Sequence, residues 1–143
     1  MFEEIGFEAA VEALIHGPLF QDKLEVSLEV DADLGILRRD IALALYRIVQ
    51  ECLSNVFQHS GSSIASVQLR RAAQYFVLEV RDKGCGIPPS TLLMLRQGHS
   101  VPGLGVLGMH ERLQMLGGTL QFDSSPQGTA VRASVPVIQP HHE

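Results

Sequence analysis

Apolar and polar residues alternate strictly in Leu24-Glu25-Val26-Ser27-Leu28-Glu29-Val30, the pattern of a strand with one wet face. From Arg38 to His59 the period changes. Ile41, Leu45, Ile48, Val49, Cys52 and Val56 return every 3.6 residues, which predicts a long, half-buried helix that Gly61-Ser62-Ser63 breaks. Val67–Arg70 and Tyr75–Val80 then read as two strands joined by a short turn, the second apolar enough for a sheet interior. Ahead of all these, Glu8–Leu14 suggests a short amphipathic helix. Gly17-Pro18 ends it, because proline disfavours helical geometry in the residue before it.

Between Asp82 and Gly108 the chain carries glycines at 84, 86, 98, 103, 105 and 108 and prolines at 88, 89 and 102, so regular structure there must be brief. A helix from Val106 to Leu116 follows, closed by Gly117-Gly118. Leu120–Phe122 and Val131–Val135 are alternating strands around a Ser124–Gly128 turn. The sum is an α/β fold, a two-layer sandwich in which a mixed β-sheet is covered on one face by helices. Strands and helices do not alternate regularly, which disfavours a doubly wound sheet. Residues 1–143 fit one domain, with a core expected at 24–137 and a patternless tail at 138–143.

Hydrophobic residues at 45% and charged residues at 19% exclude a disordered or fibrous chain. A formal charge of -5, with no basic cluster beyond Arg38-Arg39 and Arg70-Arg71, argues against nucleic acid. No apolar run approaches the roughly 18–20 residues that cross a bilayer, and the stretch Met1–Ala10 is acidic. A cytoplasmic fragment without membrane contact is expected, with the full-length protein open to a membrane anchor. Cys52 and Cys85 have no metal-ligand spacing, so neither a disulfide nor a zinc site is expected.

Three stretches can carry chemistry. Glu51, Asn55 and His59, at i, i+4 and i+8, form a polar stripe at the edge of the long helix's apolar face. Partly buried polar groups need partners, and a ligand or metal serves as well as backbone or water. Asp82-Lys83-Gly84-Cys85-Gly86 directly follows an apolar strand. There an ionised carboxylate, which only accepts hydrogen bonds, suits an exocyclic amine such as adenine's, and an ordinary turn is the alternative. Gly103-Leu104-Gly105-Val106-Leu107-Gly108-Met109 runs into a helix, so free N–H groups and the positive dipole end make a phosphate site. No strand precedes it and no Gly-Lys-Ser/Thr occurs, which removes the dinucleotide and Walker patterns. Lys83, His110 and Arg112 are few cations for a triphosphate, and magnesium held by the side-chain oxygen of Asn55 would offset more charge. Glu51 is placed to orient a metal-bound or attacking water.

In this order the pieces resemble the GHKL ATPase superfamily of gyrase, Hsp90, MutL-type repair proteins and histidine kinases. Glu51-x-x-x-Asn55 looks like its N-box, Asp82-x-Gly84-x-Gly86 its G1 box, Gly103-Leu104-Gly105-x-x-Gly108-Met109 its G2 box and Gly128-Thr129 its final Gly-Thr. Leu45–Glu51, Asn55–His59 and Gly108–Gly118 are similar to the NarL-partnered branch of sensor kinases. The resemblance implies a Bergerat-type ATP-binding fold that binds ATP and Mg2+. Asn55 would hold the metal and Asp82 the adenine amine; Gly84 and Gly86 would line the base. Gly103, Gly105 and Gly108 would pass the phosphates under a mobile lid at about Pro88–Pro102, Thr129 would support the adenine end, and His59, Ile87, Leu104 and Met109 would be further nucleotide-binding residues. It further implies transfer of the γ-phosphate to a histidine on dimerisation helices absent from this chain, with a response regulator as the next acceptor. Residues 1–23 would be the linker or helix from that missing segment.

The chain departs from the branch pattern at Gln58, where a lysine is usual, at Lys83, usually acidic, and at His110, usually arginine. These departures keep open a degenerate nucleotide-binding module, and an anti-sigma-type serine kinase shares the same ATP site. His16 is not the phosphoacceptor, since two helices of about thirty residues cannot fit between it and Arg38.

Overall fold

In the computed structural model, which describes residues 4–21, 23–60, 62–97 and 106–137, the first alternating stretch forms strand β1 (Glu25–Val30). Its wet side is Glu25, Ser27 and Glu29, while Val26, Leu28 and Val30 turn to the core. The remaining elements are α1 (Glu4–Ile15), α2 (Arg39–Asn55), a π-helical turn (Val56–Ser60), β2 (Ile64–Ala72), β3 (Tyr75–Asp82), α3 (Pro89–Arg96), α4 (Val106–Met115), β4 (Thr119–Ser125) and β5 (Gly128–Pro136). The described strands pair in the order β1-β2-β3-β5-β4. β1 and β2 run parallel, with α2 as the crossover such a pair requires, and the other neighbours are antiparallel.

Strand alternation decides which face is dry. Val67, Leu69, Phe76, Leu78, Val80, Ala133 and Val135 share one side and are all buried, facing Ile41, Leu45, Ile48 and Cys52 of α2 and Leu113 of α4. α2 lies across β3 and β5, and α4 across β4 and β5. The mixed sheet with helices on one face is the architecture expected from the pattern.

Two expectations are revised. Phe7, Val11 and Phe20 belong to the same core, so the core begins before residue 24, and α1 packs on α2 and β1. His16 follows the end of α1, its imidazole 3.3 Å from Glu12. The long helix is also not α-helical to His59. It turns π-helical at Val56, and the i→i+5 winding takes position 59 out of the i, i+4, i+8 series of an α-helix.

The uncovered face carries charge. Glu79 lies there, only 7% exposed. Arg81 grips both its oxygens at 3.1 and 3.2 Å, and Arg132 donates at 2.9 Å from the facing strand. Burial raises the Glu79 carboxyl, but these hydrogen bonds and the two guanidinium charges outweigh it and hold the group below its ordinary 4.5.

Candidate functional site

Asp82 stands two residues beyond the core residue Val80 and therefore shares its helix-covered side of the sheet. The β3–β5 register sets Thr129 opposite Asp82, and the β4–β5 register sets Ser124 opposite Thr129. One row at the end of the sheet thus carries three hydrogen-bonding side chains. α2 comes close to it: the buried Cys52 thiol is pushed up to about 12, by desolvation first and then by the charges of Glu51 and Asp82. α2 packs against β3 and β5, the two strands that carry Asp82 and Thr129.

Local geometry fixes the loop after β3. Asp82 Oδ1 accepts the Gly84 N–H at 2.8 Å, and among the described residues its second oxygen has no donor. Gly86 has φ +83°, and a Cβ there would collide with the Ser125 carbonyl. Gly128, at φ +147°, approaches the Asp82 carbonyl as closely. Loop and hairpin are clamped backbone to backbone, which glycine alone permits. Ser124 completes the clamp: its Oγ accepts the Ile87 N–H at 2.6 Å and lies 3.0 Å from Thr129 Oγ1.

The structure brings together Asp82, Gly84, Gly86, Ile87 and Thr129, with Glu51 and Asn55 half-buried on the neighbouring helix. His59 lies in the π-helical turn. Gly108 is in the first turn of α4, with the Arg112 guanidinium beside it. Met109, expected at the nucleotide, has its side chain in the core at 1% exposure, where it seats α4. Gly103, Leu104 and Gly105, and the end of the expected lid at 98–102, lie outside the described residues. The start of that lid is α3, whose Arg96 donates to the Phe122 carbonyl of β4 at 3.0 and 3.2 Å. His110 is half-buried beside the Phe122 ring.

A cavity of about 640 Å³ opens at this end of the sheet, lined by Asp82, Ser124 and Thr129 but also by Ser27, Ser66 and Arg81 of the uncovered face. Glu51 and Asn55 do not line it, so it is not the cleft between long helix and sheet that the motifs imply. By strand alternation Asp82 and Thr129 share the side of the sheet that the helices cover.

The model of the histidine kinase-, DNA gyrase B-, and HSP90-like ATPases matches residues 40–139. The chain belongs to this ATPase family. Sensor histidine kinase NarS of Mycobacterium tuberculosis is 31% identical over 138 residues, covering 96% of this chain and 31% of NarS. The kinase/phosphatase UhpB of Salmonella typhimurium is 30% identical over 135 residues, covering 94% of this chain and 25% of UhpB. Both fit the NarL-partnered branch. The chain thus spans less than a third of these relatives. The catalytic domain of histidine kinase ThkA has the same fold, with a TM-score of 0.77 at 13% identity over 94% of this chain and 93% of that one.

The matched span of the ATPase domain takes in nearly all of α2 and everything to β5, and leaves out α1 and β1. Ser124 escaped sequence reasoning, which read it only as the start of a turn. Its signal lay in the hairpin register, since pairing Ser125 with Gly128 puts Ser124 beside Thr129. Among the described residues no helix is long and apolar enough to cross a membrane.

Proposed function

We propose that this ATPase domain binds Mg-ATP between α2 and the sheet, as the catalytic part of a two-component sensor histidine kinase. The observation that carries the reading is the Asp82–Thr129 pair on the helix-covered face beside the loop clamped at Gly86. Asp82 would accept the adenine N6 amine through the oxygen not used by Gly84. The base would lie along Gly84, Gly86 and Ile87, and the phosphates would run toward Gly108 and the N-terminus of α4, where Arg112 adds positive charge.

Asn55 and Glu51 offer oxygen donors of the kind magnesium prefers, half-buried where the phosphate tail would pass. Bound magnesium would neutralise phosphate charge. Asn55 would hold it through the side-chain oxygen, and Glu51 would orient water. Transfer would follow when an imidazole nitrogen from separate dimerisation helices attacks the γ-phosphorus: a P–N bond forms, the bond to the β–γ bridging oxygen breaks, and ADP leaves. Positioning and charge neutralisation would supply most of the rate. An aspartate on a response regulator would be the next acceptor.

The test is an ATP titration with and without magnesium, followed by mixing with a separately made dimerisation segment and γ-labelled ATP. Acid-labile label on the segment is expected. No response to millimolar ATP overturns the nucleotide site; tight binding without label leaves a nucleotide-holding module, and acid-stable label indicates a serine kinase.

A further inference from the structure

A hydroxyl rotates freely, so Thr129 by itself can present either a proton or a lone pair to a ligand. Its neighbour restricts that freedom. Ser124 Oγ lies 3.0 Å from Thr129 Oγ1 and takes the Ile87 N–H at 2.6 Å, and a backbone N–H can only donate. One Ser124 lone pair is therefore used, and across the 3.0 Å contact either hydroxyl can be the donor, so the Ser124 proton is available to Thr129. We propose that Ser124 is a positioning residue for base specificity: it donates to Thr129 Oγ1 and so directs the Thr129 proton at the ligand. The inference rests on the adenine-nucleotide reading and deepens it.

The consequence is a fixed pattern at the end of the sheet. Asp82, with Oδ1 held by Gly84, is an acceptor; Thr129, one strand over, becomes a donor. Acceptor beside donor complements adenine, whose amine donates and whose N1 accepts. Guanine presents the reverse at the same edge, an accepting O6 and a donating N1–H. Built-in pairing of this kind rejects the wrong base because it leaves polar groups unpaired. The backbone contacts of Gly86 with Ser125 and of Gly128 with Asp82 hold loop and hairpin so that Ser124 cannot drift from the row.

The experiment compares dissociation constants for ATP, GTP and 1-deaza-ATP, in which N1 is replaced by C–H, with magnesium throughout. Wild type, Ser124→Ala and Ser124→Thr are measured by calorimetry. Wild type should prefer ATP to 1-deaza-ATP by about three- to tenfold, one hydrogen bond's worth. Ser124→Ala should lose a similar factor on ATP, change little on 1-deaza-ATP and discriminate less against GTP, and Ser124→Thr, which keeps the hydroxyl, should recover most of the loss. Equal weakening of ATP and 1-deaza-ATP in Ser124→Ala would make Ser124 a loop brace and overturn the proposal. If that variant does not fold, wild-type protein that binds ATP and the deaza analogue equally overturns it as well. Wild-type protein that ignores ATP removes the nucleotide reading and this inference with it, whereas ATP binding with no Ser124 dependence removes this inference alone.

Discussion

Asp82 and Thr129 stand opposite each other across β3 and β5, on the face of the sheet that the helices cover. Because a charged hydrogen bond contributes about 1.5–3 kcal/mol, Asp82→Asn should weaken ATP binding by roughly 10- to 100-fold. The replacement amide can still accept from Gly84, so the fold should be kept. Calorimetry together with an unchanged circular dichroism spectrum checks both halves of this expectation.

Asn55→Asp adds a negative charge where magnesium is proposed to sit. Metal affinity should rise or hold while metal-free ATP is repelled, so the ratio of ATP affinities with and without magnesium should grow several-fold. An unchanged ratio removes Asn55 from the metal site.

Gly128→Ala places a Cβ against the Asp82 carbonyl at a φ that L-residues rarely adopt. The strain should cost about 1–3 kcal/mol, lowering Tm by roughly 3–12 °C. ATP affinity should fall with it, since Asp82 and Thr129 are aligned by the same contact. A melting curve superimposable on wild type contradicts the clamp.

The two cysteines should behave differently toward a thiol reagent at neutral pH. Cys85 is exposed, whereas Cys52 is buried with its thiol pushed up to about 12, and only thiolates react readily. One thiol should titrate in the native protein and the second only on unfolding.

Glu79 makes stability depend on acid. Its folded-state carboxyl lies below the ordinary 4.5, so its stabilisation is fully present above that value and is lost as pH falls through the lower folded value. Glu79→Gln should lower stability by about 1–3 kcal/mol at neutral pH and flatten the acid limb of a denaturation profile below about pH 4.5.

Much of the fold could be read from local pattern. The alternation at Leu24–Val30 and the 3.6-residue return from Ile41 to Val56 report which face of an element is dry, and both faces are dry or wet as read. The π-helical turn at Val56–Ser60 was hidden, since one extra residue per turn leaves no mark on apolar spacing over so short a stretch. Glu79 was hidden too: an acid within an apolar run reads as a wet position, and while Arg81 is near in the chain, Arg132 comes from a distant strand. Asp82, Gly86 and Thr129 were singled out by motif order, whereas Ser124 looked like any turn serine.

The chain's own order of residues was enough to determine the strands, the long helix, the covered face and the family, though not helix α3 or the π-helical turn, because periodicity and short motifs are local properties. Tertiary structure alone decided the row Asp82–Thr129–Ser124, the contacts of Gly86 and Gly128 with distant carbonyls, and the entry of α1 into the core. Each of these depends on strand register or on packing between segments far apart in sequence, where a shift of one residue turns a side chain to the opposite face.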